Sequence, residues 1–203
     1  MILGFYFYSR IIDDQKRHSD DAVRDYINLR KEFADMFEAL EIYDEKGRND
    51  AMRESLQLLQ ETGVTMEIGL PIITAYTREF KGKMPQSQYE QGIKEMLGWG
   101  AMHPSADTAE LINIMALWNM ITYKEQGEFR RMIVAGAKYV NMSVGNFVKA
   151  LSYSFSTAKI MNWTPQQTIE AIMKITKGEP EKQQLPMVIE TMSAFQNPQL
   201  PKN

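Results

Sequence analysis

The sequence predicts an all-α protein, a bundle of about seven to nine helices. Three observations predict this class. Apolar residues recur at three- and four-residue spacing along most of the chain, helix-capping residues precede these stretches, and alternating strand patterns are nearly absent. The exception is the amino-terminal MILGFYFYSRII, which is too short to span a bilayer and lacks the basic start of a signal peptide. We expect it to pack against the core as a short extended segment or a first helical turn, and the alternative is a docking peptide or the stub of a membrane segment.

We predict a single helical domain over residues 1–203, because a chain of this length can bury a full core. With 44% hydrophobic and 24% charged residues, the composition is that of an ordinary globular protein. A subdivision would separate an acidic part, residues 13–82, from an apolar and basic part, residues 87–196.

The first predicted helix begins at Ser19 and ends at Gly47. Val23, Ile27 and Phe37 widen its apolar stripe. The centre of that stripe follows alternating four- and three-residue steps, the spacing of a helix-pairing seam, through Ala22, Tyr26, Leu29, Phe33, Met36, Leu40 and Tyr43.

Glycines bound the next two predicted helices. The second begins at Asn49 or Asp50 and ends at Gly63, and we expect it to form an antiparallel hairpin with the first. In the third helix, Pro71 of GLPII either opens the helix or kinks it, and Gly82 ends it.

Capping patterns place the two central helices. Ser87 and Glu90 form a capping box for the fourth helix, which the GWG sequence would terminate. Ser105, or Asp107 paired with Glu110, then opens ELINIMALWNMITY. Because this segment is hydrophobic nearly all round, we expect its helix at the centre of the bundle.

Helices also fill the carboxyl-terminal part. One follows Gly127 and runs through Tyr139, and one or two more surround residues 147–160. A short helix covers Met187 to Phe195, and the tail NPQLPKN is predicted to be loose.

The helix after Thr164 has the clearest boundaries in the sequence. Thr164 supplies the N-cap, Pro165 the first helical position and Gln167 the capping partner. Gly178 supplies the stop.

Composition excludes several kinds of chemistry. The chain has no cysteine, so it has no disulfide scaffold, thiolate zinc site or cysteine nucleophile. Its two histidines, His18 and His103, lack the neighbouring glutamate of a di-iron bundle, and no phosphate-binding glycine loop is present. We therefore predict a cytoplasmic protein that acts by binding, without a cofactor or a metal.

One carboxylate pattern could hold a hard divalent cation. Glu38 and Glu41 lie three residues apart, and Glu54 follows on the next predicted helix. This arrangement is similar to the E-x-x-E motif and following acidic motif of the all-α nucleotide pyrophosphohydrolases, in which Mg²⁺ activates water. Gln57 stands where that resemblance requires Asp, so we expect a solvated acidic face.

Charge is distributed unevenly along the chain. Residues 13–67 contain 15 acidic and 8 basic residues, whereas residues 129–178 contain 7 basic residues and only Glu170 as an acid. Residues 129–169 contain no acid, although the chain has 26. Burial of these helices, self-association with the acidic part, and an external anionic partner each explain the pattern.

We predict a helical binding protein, an adaptor, assembly subunit or regulatory partner that uses this charge-polarised surface. The alternative is a nucleic-acid-associated protein that uses residues 129–178, and a Mg²⁺-dependent hydrolase of nucleotides is third. The predicted partner-binding residues are Arg130, Arg131, Lys138, Lys149 and Lys159.

Overall fold

The computed structural model describes residues 20–196, without the side chains of residues 20–26, 28 and 29. Within this range no residue is in a strand, which confirms the all-α class. The amino-terminal segment and the tail NPQLPKN lie outside it. The helices are α1 Asp20–Ala39, α2 Glu45–Thr62, α3 Met66–Phe80, α4 Gln86–Met102, α5 Thr108–Leu117, α6 Tyr123–Val140, α7 Val144–Ile160, α8 Pro165–Thr176 and α9 Glu181–Gln196.

The helices pack in two groups that meet at the middle of the chain. Helix α3 contacts α1, α2, α4 and α5, and helix α7 contacts α6, α8 and α9. Contacts of α4 with α6 and of α5 with α7 join the groups. No helix in the described range is both long and apolar enough to cross a membrane.

Helix α5 has the central position expected from its apolar sequence. Leu111, Ile112 and Met115 are fully buried, and Asp107 caps the helix by accepting a hydrogen bond from the Glu110 N–H at 2.9 Å. The helix ends earlier than its apolar sequence suggests. Asn119 adopts a positive φ of 59°, so the apolar segment contains a turn.

The predicted end of α1 is wrong. The helix stops at Ala39, and Glu41 follows with a positive φ of 54°. Asp44 then caps α2 by accepting the Gly47 N–H at 2.7 Å. Because the Asp44 side chain binds the N–H group three residues later, Gly47 lies in the first turn of α2 and does not end α1.

The predicted seam on α1 is therefore shorter than expected. Phe33 and Met36 are buried, but Tyr43 lies beyond the helix and is 72% exposed. Ile27 is also exposed. The side chains of Ala22, Val23, Tyr26 and Leu29 lie outside the described ones.

The predicted α1–α2 hairpin is wrong as well. Helix α1 packs chiefly on α3, and α2 packs on α3 and α4. Contact between α1 and α2 includes the Ser55 hydroxyl, 3.6 Å from the Met36 sulfur.

Helix α4 runs through the GWG sequence that was expected to end it. Its N-cap is Pro85, so Ser87 lies inside the helix. Gly100 faces α3, where an added Cβ would lie 2.5 Å from the Ile72 Cδ1 atom. Gly92 faces the same helix, and an added Cβ would lie 1.9 Å from the Tyr76 hydroxyl. These glycines allow close helix packing.

Helix α3 also differs from expectation at one end. It begins at Met66, so Pro71 lies inside the helix on its exposed side. Gly82 follows the end of α3 with a positive φ of 78°, which confirms its predicted stop.

The carboxyl-terminal helices begin earlier than expected. A capping box between Thr122 and Glu125 starts α6, so Gly127 is internal. Ser143 caps a single α7, and α9 begins at Glu181 and passes through Pro186.

The boundaries of α8 are confirmed. Thr164 and Gln167 form the predicted capping box around Pro165. Gly178 follows with a positive φ of 85°.

Candidate binding groove between α4 and α6

Helices α4 and α6 enclose a groove of about 590 Å³. Residues that line it recur every three or four positions on each helix and so share one helix face. On α4 these residues are Glu95, Trp99 and Met102. On α6 they are Gly127, Arg131, Val134 and Lys138.

The groove carries an excess of positive charge. Among the described residues that line it, Glu95 is the single carboxylate. Its cationic side chains are Lys124, Arg130, Arg131 and Lys138. Three of the five predicted partner-binding residues therefore lie in one place, since Arg130, Arg131 and Lys138 all line this groove.

Arg130 has an internal role in the groove. It is only 6% exposed and forms an ion pair with Glu95, and its Nη1 lies 3.0 Å from the Met96 sulfur. Tyr123 donates its hydroxyl proton to the other oxygen of the Glu95 carboxylate. This hydrogen bond raises the pKa of the Tyr123 phenol. Arg130 thus ties α6 to α4, and little of its surface is exposed.

Arg131 and Lys138 form the cationic rim of the groove. Both are exposed, and neither forms an ion pair with a carboxylate in the described part of the chain. Lys124 differs, because it lies 3.9 Å from a Glu128 carboxylate oxygen. Arg131 and Lys138 are therefore exposed groove cations without a carboxylate partner among the described residues.

Part of the groove wall is aromatic and apolar and comes from both helices. Trp99 is buried, and its ring centroid lies 4.7 Å from that of His103. Met102 is 70% exposed at the end of α4, and Val134 is half-buried on α6. An apolar partner side chain could gain buried area against this wall.

The other two predicted contact residues lie elsewhere. Lys149 is exposed on α7 and is not part of the groove lining. Lys159 donates a hydrogen bond to the Leu117 carbonyl at 3.1 Å, and its Nζ lies 5.3 Å from the centroid of the Phe155 ring.

The carboxylates of the metal hypothesis are not brought together. Glu41 and Glu54 border a second groove of about 500 Å³, together with Arg78 and Lys81, and Glu38 does not line it. Among the side chains that the structure describes, no three of Asp, Glu or His lie close enough to hold a metal ion. The geometry implied by the resemblance to pyrophosphohydrolases is therefore absent from the described residues.

Comparisons with known proteins give no family. No family model matches the chain, and no curated protein and no solved structure matches it significantly. The chemistry of the groove is thus the basis for a functional proposal.

Sequence reasoning found the cationic side of the groove and missed the rest. Glu95, Trp99 and Met102 recur at helical spacing on α4, but this signal disappears when the GWG sequence is taken as a helix stop. Tyr123 was missed because the start of α6 was placed too late.

Proposed function

We propose that this protein is a binding protein, an adaptor, assembly subunit or regulatory partner, whose α4–α6 groove takes an acidic amphipathic segment of another protein. The supporting observation is the pairing of two kinds of surface. Arg131 and Lys138 have no ion-pair partner in the described structure, and they line the same groove as the exposed Met102.

Each surface would have a different part in binding. Apolar side chains of the segment would pack on Met102, Val134 and the Trp99 ring, and these anchors would supply most of the affinity. Carboxylates of the segment would pair with Arg131 and Lys138, which would speed encounter and fix orientation.

Protein is favoured over nucleic acid as the partner. Exposed aromatic residues such as Tyr139 and Tyr153 could stack on bases, but they do not line the groove, and Lys177 already lies 5.2 Å above the Tyr139 ring. The net charge of the chain is −3, which opposes non-specific binding to phosphate backbones. A cytoplasmic setting fits a chain without cysteine.

The test begins with capture of partners from the native cell extract, with and without nuclease. Captured proteins would be identified, and their acidic segments would be made as peptides for binding measurements. In the Arg131→Glu, Lys138→Glu double variant, we expect the association rate constant to fall about tenfold or more. The rate for the unchanged protein should also fall between roughly 50 and 500 mM salt, as the screening length falls from about 14 to 4 Å.

A matched control is the Lys149→Glu, Lys174→Glu double variant. It makes the same change in net charge at exposed positions outside the groove. Equal losses in both variants would show that general charge, and not the groove, controls binding. Capture that nuclease abolishes would favour the nucleic-acid alternative.

A further inference from the structure

We infer that the surface of Gly127, between the guanidinium groups of Arg130 and Arg131, is an oxyanion-binding cradle. The inference rests on the proposed function of the groove and names what the cradle selects. It takes one anionic group of the bound segment, the carboxylate of Asp or Glu or the phosphoryl group of a phosphorylated side chain.

The geometry centres on the missing side chain of Gly127. A Cβ atom added there would lie 3.8 Å from Nη2 of Arg130 and 3.9 Å from Nη1 of Arg131. Apart from the local helix backbone and the chain neighbours, no other described heavy atom lies within 4 Å of that position. Two guanidinium groups therefore converge on a bare stretch of helix that lines the groove.

Packing does not explain a glycine at this position. The contacts of an added Cβ would be ordinary van der Waals contacts, unlike those at Gly92, where the atom would lie 1.9 Å from the Tyr76 hydroxyl. Glycine inside a helix is about 0.5–1 kcal/mol less favourable than alanine. A glycine at this position keeps the surface between the two arginines open to a ligand, and a larger residue would occupy that space.

The two arginines have complementary properties. Arg130 is buried, its Nη2 atom already donates to a Glu95 carboxylate oxygen, and its Nη1 atom lies 3.0 Å from the Met96 sulfur. The guanidinium is therefore held in place before a ligand arrives, and only the N–H groups that these contacts leave over can bind the anion. Arg131 is exposed and can adjust to the anion. Guanidinium groups donate pairs of hydrogen bonds to carboxylate and phosphate oxygens, and charge-assisted bonds of this kind are the stronger ones in proteins.

The test is a nuclear magnetic resonance titration that follows the arginine side-chain N–H signals. Inorganic phosphate and acetate are the two probes, added separately at constant ionic strength. We expect saturable shifts of the Arg130 and Arg131 signals. Tighter binding of phosphate would assign the cradle to phosphorylated side chains, and binding of acetate at least as tight would assign it to carboxylates.

Variants separate the cradle from general charge attraction. Gly127→Gln keeps every charge but fills the cradle. It should lower the affinity for the preferred probe by at least about tenfold, or ~1.4 kcal/mol. Gly98→Gln is the matched control, because Gly98 is also a helix glycine, has open space around it and does not line the groove. Gly127→Ala, which adds only a Cβ, provides a milder variant should Gln disturb the helix.

Two results would overturn the cradle. One is an absence of saturable shifts in the unchanged protein, and the other is equal probe affinity in the unchanged protein, Gly127→Gln and Gly127→Ala. The groove proposal would survive either result if the Arg131→Glu, Lys138→Glu variant still lost its partner. Failure of the two proposals is thus distinguishable.

Discussion

Among single residues, Tyr76 shows how a buried polar group fixes helix positions. Its side chain is fully buried and donates a hydrogen bond to the Gln126 Oε1 atom at 2.8 Å. Gln126 in turn donates to the Met120 carbonyl at 3.0 Å. These bonds join α3 to α6 and to the turn before it, close to the groove. Burial raises the pKa of the Tyr76 phenol.

Replacing Tyr76 by Phe should lower the free energy of unfolding by about 1–3 kcal/mol, because the buried Gln126 oxygen loses its donor. Urea unfolding monitored by circular dichroism would measure this as a lower midpoint with an unchanged slope. Tyr153→Phe is the control at an exposed position and should change stability by less than about 0.5 kcal/mol.

The same residue predicts a loss of stability in alkali. A raised phenol pKa contributes stability that is complete below the ordinary value of about 10 and is lost as the pH rises above it. Tyr89 and Tyr123 act in the same direction, because their pKa values are also raised. We expect the free energy of unfolding to fall above about pH 10, and to fall less steeply in Tyr76→Phe. Equal slopes in the two proteins would contradict this assignment.

At the scale of helices, the sequence predicts those boundaries that depend on neighbouring residues. It does not predict boundaries and pairings that depend on residues far away in the chain. The α8 capping box at Thr164 and the Asp107 cap were predictable because a cap acts within four residues. The continuation of α4 through Gly100 could not be predicted, because the need for glycine there comes from close packing against Ile72 on another helix. Likewise, adjacent arginines in the sequence gave no sign that Arg130 would pair internally with Glu95.

The two glycines of the GWG sequence should respond oppositely to alanine. Gly98→Ala should raise the free energy of unfolding by about 0.5–1 kcal/mol, because the added Cβ meets no atom and favours the helix. Gly100→Ala should lower it by about 1–3 kcal/mol, because the Cβ would press on the buried Ile72. Thermal and urea unfolding would measure both. A stabilising Gly100→Ala would show that the Ile72 side chain can move aside without loss of packing.

The α4–α6 contact gives a similar contrast between neighbours. Arg130→Glu should lower the free energy of unfolding by about 3–5 kcal/mol, because it places a buried carboxylate against Glu95. Arg131→Glu, at an exposed position, should change it by less than about 0.5 kcal/mol. Urea unfolding of the two variants measures the difference. Similar losses in both would place Arg131 in the structural network as well.

Across the whole molecule, opposite charges lie in different parts of the chain, and their surroundings differ. Several carboxylates of the acidic part are already engaged. Asp50 lies 2.9 Å from Arg53, Glu61 lies 2.7 Å from Lys94, and Asp44 caps α2. The rim cations Arg131 and Lys138 have no such partner in the described structure. The uneven distribution of charge along the chain therefore leaves Arg131 and Lys138 without a carboxylate partner, beside the apolar side chains of the groove.

This arrangement predicts that a second copy of the protein does not bind in the α4–α6 groove. Helices α1 and α2 are the acidic candidates, but they bury Phe33, Met36 and Leu59 in the core of their own chain. A folded second copy could present carboxylates to Arg131 and Lys138, but the large apolar side chains that its described acidic part exposes are Ile27 and Tyr43 alone. Rim charge with so few apolar anchors gives little affinity. Light scattering should thus give a molar mass near 23.4 kDa at both roughly 50 and 500 mM salt. A dimer at low salt that dissociates at high salt, and is lost in Arg131→Glu, Lys138→Glu, would instead make the acidic part of another copy the occupant of the groove.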